Sequence, residues 1–154
     1  MWVPPEETDP PLLHAPTRKS MALFGAVNLH DGQLVTQFSS QFDAMTFKDF
    51  LKKLLRYRPS KRRLVLILDN ARYHHATFLQ PLLRKKRRLV MLSFLPPYSP
   101  EINSIERVWK LTRKMCTHNQ NFPQPQDLIS AVVAKQLDWW KKPNKTLQRL
   151  CGIP

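Results

Sequence analysis

Glycine, cysteine and acidic side chains are scarce in this 154-residue chain, which holds three Gly, two Cys and 11 Asp and Glu. Cys116 and Cys151 cannot build a disulfide framework, and they lack the spacing of metal ligands. The longest clean apolar run, at 64–68, is far shorter than the roughly 20 residues that cross a bilayer, and no basic and apolar leader follows Met1. We therefore expect a soluble protein with no membrane partner, in a reducing cytoplasm.

Positive charge is what the chain has in excess. Its 25 Lys and Arg residues outnumber the acids and give a net charge of +14 at pH 7, with basic clusters at 61–63 and 84–88. Clustered charge of this size predicts a polyanionic partner, and nucleic acid is the first candidate because each neutralised phosphate releases counterions. The alternative is a basic, solvated surface with no special partner.

The distribution of apolar residues divides the chain in two. Residues 1–20 hold five of the 14 prolines and little periodicity, which predicts an extended arm without a core of its own. Residues 21–154 carry the apolar blocks and are predicted to form one domain.

Within that domain, short apolar runs at 21–28 and 34–38 flank the turn signal His30-Asp31-Gly32 and predict a β-hairpin. Asp43 can cap a helix whose apolar residues recur every three or four positions, up to Pro59. Further strands are predicted at 64–68, with a run typical of a strand buried on both faces, and at 89–95. They alternate with helices predicted at 76–87, 99–118, 126–142 and 146–151. This order predicts an α/β fold with a mixed sheet covered by helices.

Asp69 is the first candidate site residue because it directly follows the apolar strand at 64–68. A strand end holds a carboxylate rigidly, and polar sites gather beyond the carboxyl ends of parallel strands. The alternative is a residue that only closes the strand in an Asx-turn. Glu106 is the second candidate. It is predicted to lie in the second turn of a helix that starts at Ser99 and Pro100, and its alternative role is a surface pair with Lys110.

Together the two acids suggest a metal site. Two carboxylates that meet at one sheet edge would repel each other unless a cation bridges them, and Mg²⁺ or Mn²⁺ prefers such oxygen ligands. Two such ions can activate an attacking oxygen and stabilise a leaving oxygen in phosphoryl transfer. The basic surface would then bind the phosphodiester substrate.

Two motifs carry a resemblance to a known family. The first runs Leu-Ile-Leu-Asp-Asn-Ala-Arg-Tyr-His-His at 66–75, and the second runs Leu-Pro-Pro-Tyr-Ser-Pro at 95–100 and continues as Asn103-x-Ile-Glu106-x-x-Trp109. They resemble the DDE-transposase domain of the mariner superfamily, in its bacterial insertion-sequence branch. The resemblance covers essentially the whole chain. It implies an RNase H-like fold and cleavage and joining of DNA with two divalent ions, Mg²⁺ or Mn²⁺.

The resemblance also assigns roles. Asp69 matches the family's second catalytic Asp and Glu106 its third acidic residue, both as metal ligands. The family's first catalytic Asp lies on a strand before the hairpin, and nothing upstream of Met21 has the pattern of that strand. The chain therefore resembles the C-terminal portion of a transposase that lacks the first strand, and we expect it to be impaired alone. Its implied partners are double-stranded DNA at transposon ends and target, within the nucleoid, and a second copy or a full-length transposase.

Several basic residues are candidate DNA contacts: Arg72, His74, His75, Lys110 and Arg113. For the two histidines the alternative is a structural role at a helix start. Trp109 is predicted to be a core residue rather than a base-stacking one. Two other functions stay open: a non-catalytic DNA-binding or oligomerisation module, and another RNase H-like nuclease.

Overall fold

The computed structural model describes residues 21–117, 122–124, 126–132 and 143–152. The predicted arm at 1–20 lies outside the described residues. Residues 126–132 are helical, as predicted, while the remainder of that predicted helix is outside the described part of the chain. No helix in the described ranges is long and apolar enough to cross a membrane.

The predicted hairpin is confirmed. Strands β1 (Ala22–Val27) and β2 (Leu34–Ser39) pair antiparallel, with Gly25 opposite Thr36. In the turn between them Gly32 has a φ of 74°, a conformation that a residue without Cβ adopts at little cost. The Asp31 carboxylate accepts a hydrogen bond from the backbone N–H of Gln33 at 2.9 Å. The turn chemistry that the sequence carries therefore sets the hairpin.

Helix α1 (Ala44–Tyr57) begins at the predicted cap. The Asp43 side chain accepts the backbone N–H of Thr46 at 2.8 Å, and the Thr46 hydroxyl accepts the backbone N–H of Asp43 at 3.1 Å. The bond from the Thr46 backbone N–H, followed by side-chain bonds from Gln41 and Thr46, holds the pKa of the Asp43 carboxyl below its usual range. The predicted apolar stripe is buried as Phe47, Phe50, Leu51 and Leu54.

Strands β3 (Leu64–Leu68) and β4 (Val90–Phe94) pair in parallel, with Leu68 opposite Phe94. The segment between them differs from the single helix predicted at 76–87. It forms two 3₁₀ turns, Arg72–His75 and Thr77–Leu79, before α2 (Gln80–Lys85). The helix starts late because Ala76 is extended, with a ψ of 133°, and because Pro81 suits only the first turn of a helix.

The four strands form two ladders, β1–β2 and β3–β4, rather than one continuous sheet among the described residues. Residues of both ladders share one hydrophobic core with α1, which includes Phe24, Val35 and Leu66. The predicted burial of β3 on both faces is wrong, because Leu66 is 8% exposed whereas Val65 is 50% and Ile67 is 46% exposed. The α/β architecture itself is confirmed.

Helix α3 (Ser104–Thr112) is shorter than the helix predicted from Ser99. A 3₁₀ turn at Pro100–Ile102 comes first, and Asn103 is extended, with a ψ of 100°. Glu106 therefore lies in the first turn of α3 rather than in the second turn. A π-helical turn, Arg113–Thr117, continues α3.

A second core joins α3 to the C-terminal helix α4 (Lys145–Cys151), around Leu34, Val108 and Leu147. Asn144 caps α4 by accepting the backbone N–H groups of Thr146 and Leu147. The base of the Glu106 helix is tied to α4 as well, since the Ser104 hydroxyl donates to the Cys151 carbonyl at 3.1 Å.

Candidate active-site cleft

A cleft of about 160 Å³ opens at the carboxyl ends of β3 and β4 and at the start of α3. The structure brings the two predicted acids together there, because both line this cleft. The other lining residues come from the β3 end, the β4–α3 loop and the cap of α3: Asn70, Leu95, Pro96, Pro97, Tyr98, Ser99 and Asn103. Residues that are far apart in the sequence thus share one solvent-filled depression.

The parallel pairing of β3 with β4 builds the floor of the cleft. The backbone N–H of Leu95 donates to the Leu68 carbonyl at 2.8 Å, so the ladder continues to the last residue before Asp69. One residue further on, the Asn70 side-chain amide donates to the Leu95 carbonyl at 2.6 Å. These two bonds fix the end of β3 against the end of β4, so the backbone of Asp69 has a defined position.

Asp69 is held by its own turn and by a histidine. Its carboxylate accepts the backbone N–H of Ala71 at 3.2 Å, and its Oδ1 lies 3.1 Å from Nδ1 of His74. The same Nδ1 lies 3.1 Å from the backbone carbonyl of Asp69. Because both neighbours are oxygen acceptors, we assign the proton of the neutral ring to Nδ1. The Asp69 side chain is still 57% exposed and thus accessible to a ligand.

His74 is a structural support and not an exposed cation. The residue is 7% exposed, and its ring packs 4.5 Å from that of Phe47 and 4.3 Å from that of Tyr73, centroid to centroid. Burial lowers the pKa of His74, which outweighs the opposing effects of Asp69. Burial likewise raises the pKa of Tyr73 to about 12. With 7% of the residue exposed, little of the His74 ring is available for the predicted contact with DNA.

Glu106 reaches the cleft from the first turn of α3 and is half-buried. Its backbone N–H donates to the Asn103 carbonyl at 3.0 Å. The next residue, Arg107, is directed to α4, where its guanidinium donates to the Leu150 carbonyl at 3.0 Å. Within the described part of the chain the ion pairs are Lys52–Asp49 and His74–Asp69, so neither acid of the cleft is paired with a Lys or Arg there.

The other predicted DNA contacts lie on the surface. Arg72, Lys110 and Arg113 are exposed, with Arg72 on the strand-end side and Lys110 one turn beyond Glu106. His75 is exposed as well, but its ring stacks on Phe94 at 4.2 Å. Trp109 is partly buried against β1, in agreement with its predicted core role.

The donor chemistry of the cleft suits a hard divalent cation. Carboxylate oxygens with a cleft wide enough for water match the needs of Mg²⁺, which keeps several waters and takes one or two protein carboxylates. No group of three or more His, Cys, Asp and Glu side chains is arranged for a metal within the residues described. The described site thus offers two acids and not three.

Fold and cleft together define an α/β domain with paired acids at the carboxyl edge of parallel strands. Residues 1–129 match the family model of the DDE superfamily endonucleases. The chain is 30% identical over 112 residues to the uncharacterized protein y4pE/y4sA of Sinorhizobium fredii (strain NBRC 101917 / NGR234). This match covers 73% of this chain and 79% of that protein. The chain belongs to the DDE superfamily endonuclease family.

A solved structure agrees with the fold. The chain is similar to a chain of the cryo-EM structure of the simian T-cell lymphotropic virus intasome in complex with PP2A regulatory subunit B56 gamma. The TM-score is 0.51 at 17% identity, and the match covers 86% of this chain and 48% of that chain. This chain therefore spans about half the length of its structural neighbour, and the shared feature is the RNase H-like fold. Membership of the mariner branch stays a prediction.

The role of His74 leads to a first testable prediction. His74→Asn keeps an N–H donor near the position of Nδ1, whereas His74→Leu removes it. We expect His74→Leu to weaken binding of Mn²⁺ at the cleft by about tenfold, because outer partners of metal ligands contribute on that scale, and His74→Asn to retain most of it. Titration of the full chain with Mn²⁺, followed by electron paramagnetic resonance, measures both.

The pH dependence of the free energy of unfolding is a second measurement on the same two variants, and it shows whether each has lost the buried imidazole. Since folding lowers the pKa of His74, the unfolded chain binds the extra proton, and stability should decrease as the pH falls below about 6.5. Both variants should lose this part of the acid dependence. Equal Mn²⁺ affinity in wild type and His74→Leu would contradict the supporting role.

Proposed function

We propose that the chain is the catalytic domain of a DNA transposase, which cleaves and joins phosphodiester bonds during movement of an insertion sequence. The observation that carries this proposal is the cleft at the end of β3, which both Asp69 and Glu106 line. A net charge of +14 supports DNA as the substrate. As a DNA-acting protein it would work at the nucleoid in the cytoplasm.

In this proposal the chain's own residues do three things. Asp69 and Glu106 supply oxygen ligands for Mg²⁺ or Mn²⁺, Asn70 and His74 hold the strand end in place, and exposed Arg72, Lys110 and Arg113 bind flanking phosphates. The bound ions would lower the pKa of the attacking oxygen and offset the charge that develops on the phosphate. The attacking hydroxyl would lose its proton to solvent as its oxygen bonds to phosphorus, and the leaving oxygen would keep the electron pair of the broken P–O bond and take up a proton.

We further propose that the described chain is impaired by itself and works as a homodimer or with a full-length transposase. The basis is the sequence, because nothing upstream of Met21 has the pattern of the strand that carries the family's first catalytic Asp, and loss of one ligand lowers the affinity of a metal site.

The proposed function predicts weak, metal-dependent nicking of DNA. We expect the full chain to convert supercoiled plasmid to the open circle in Mg²⁺ or Mn²⁺ and not in EDTA, because the two acids act through the cation. Glu106→Gln removes one proposed metal ligand at almost unchanged shape and should reduce nicking to background. Binding of duplex DNA should decrease about 10³-fold or more between 50 and 200 mM salt if six or more phosphates are contacted.

The alternative functions give other results in the same assays. Steep salt-dependent binding without nicking in either metal would favour a non-catalytic DNA-binding or oligomerisation module, an alternative supported by the net charge of +14. Faster cleavage of an RNA or an RNA–DNA hybrid would favour another RNase H-like nuclease. Nicking that is unchanged in Glu106→Gln would contradict the assignment of the site.

A further inference from the structure

Tyr98 is the most exposed large apolar side chain of the described residues. It lies in the loop between β4 and α3 and lines the same cleft as Asp69 and Glu106. Its relative exposure is 101%, whereas the other exposed large apolar side chains in the described ranges reach at most 58%. An aromatic ring that is fully in water contributes nothing to the core, and both faces of this ring are accessible to a ligand at the cleft.

The backbone at Tyr98 makes the choice of residue more unusual. Its φ is 56°, in the left-handed region, and it follows Pro97 in a turn. A proline followed by a positive φ is the arrangement of a type II turn, where Gly or Asn is normally found at the second position. A bulky side chain adopts this φ at a cost, and unfavourable backbone geometry of this kind is concentrated at functional sites.

The loop restricts the backbone at Tyr98. Pro96, Pro97 and Pro100 restrict φ on both sides of Tyr98, and the Ser99 hydroxyl donates to the Pro97 carbonyl at 3.3 Å. The backbone that carries the ring is therefore fixed next to the carboxylates, which reduces the backbone entropy that is lost when a ligand binds. A flat and exposed aromatic ring matches the flat face of a nucleic acid base.

We propose that Tyr98 is a base-stacking residue that binds the face of an unpaired DNA base at the mouth of the cleft that Asp69 and Glu106 line. This inference rests on the proposed function, because it takes DNA as the substrate. It adds that the chain prefers DNA whose bases are unstacked at the cleavage point. Duplex bases are already stacked on each other and do not offer the face that the ring needs.

The test compares two DNA probes in EDTA, where the proposed cleavage does not occur. One is a blunt duplex, and the other has an unpaired end that carries 2-aminopurine, whose fluorescence is quenched by stacking. We expect the full wild-type chain to quench the probe. Tyr98→Gly should bind the unpaired probe about tenfold less tightly, which is the scale of one stacked base, and the blunt duplex unchanged. Tyr98→Phe should bind both probes as the wild type does.

Thermal unfolding separates a binding role from a folding role. Glycine is at ease at a positive φ, so Tyr98→Gly should be at least as stable as the wild type. Tyr57→Ala is the control for loss of an exposed tyrosine, since Tyr57 lies at the end of α1 and does not line the cleft. It should affect neither probe.

Several outcomes would overturn the inference. Tight binding of the unpaired probe by Tyr98→Gly, an equal loss for both probes, or a loss in Tyr98→Phe as large as in Tyr98→Gly would each exclude stacking by the ring. Unfolding of both Tyr98→Gly and Tyr98→Asn would show that the ring has a folding role. If the wild type binds neither probe, the proposed function fails as well. If the wild type binds both probes and Tyr98→Gly binds them equally tightly, the stacking role of Tyr98 is wrong, whereas DNA remains the proposed substrate.

Discussion

Asp69→Asn and Glu106→Gln should each weaken binding of Mn²⁺ by the full chain at least about tenfold, and binding in the double variant should be no stronger than in either single one. The expected loss is this large because removing a ligand costs more than removing its outer partners, which already contribute about 10–100-fold. Each change replaces a negative oxygen ligand with a neutral amide of the same shape. Electron paramagnetic resonance of free Mn²⁺ gives the affinity of each variant.

Glu101→Gln is the matched control. Glu101 is exposed in the 3₁₀ turn just before α3, and it does not line the cleft. Its neutralisation changes the net charge by the same amount, so it reports any long-range electrostatic effect separately. We expect its Mn²⁺ affinity to stay close to that of the wild type.

Stability without metal should change little in the two cleft variants, by about 0.5 kcal/mol or less, since Asn and Gln keep an acceptor oxygen and almost the same shape. A loss of Mn²⁺ binding in Asp69→Asn with none in Glu106→Gln would mean that the acids do not share a cation. The proposed site would then be wrong even if the DNA binding of the chain is strong.

Features with a short-range cause could be predicted from the sequence. The hairpin turn at Gly32, the cap at Asp43 and the end of β3 at Asp69 each depend on side chains within a few residues of the feature itself. The meeting of Asp69 with Glu106 was predictable at the next level, because parallel strands end at one edge and the following loop starts there.

The features that could not be predicted depend on tertiary contacts. The residue type and the neighbours of His74 in the sequence predict a side chain at the surface. Its contacts with Phe47 and Tyr73 in the folded chain make it a buried partner of Asp69. The late start of α3 has a similar origin. Ser99 and Pro100 form a good helix start, but the extended Asn103 interrupts it, and docking of Ser104 on α4 selects the second start. Tyr98 carried no periodic signal at all, since its exposure and its positive φ exist only in the folded loop.

The contact between Gly25 and Trp109 couples the hairpin to the Glu106 helix. A Cβ built on Gly25 in β1 would overlap Cη2 of Trp109 and lie 2.6 Å from Cζ2. The indole therefore rests on bare backbone, and this close approach sets how near α3 lies to the sheet. We infer that the depth of this contact determines where Glu106 stands relative to Asp69.

Gly25→Ala is accordingly expected to destabilise the chain by about 1–3 kcal/mol, the range for overpacking of a well-packed site. It should also weaken Mn²⁺ binding, because α3 must move away from β1 and take Glu106 with it. Urea unfolding gives the free energy of unfolding, and the Mn²⁺ titration gives the second effect.

A double variant separates steric overlap from loss of flexibility at Gly25. Trp109→Leu alone should destabilise the chain by leaving space over β1, but in combination with Gly25→Ala it should cost less than the sum of the two single changes. The difference is the coupling free energy, about 0.5–3 kcal/mol for side chains in contact. Additive effects would mean that the two residues do not constrain each other. The position of Glu106 would then have to depend on α4, through the bonds of Ser104 and Arg107 to the last turn of that helix.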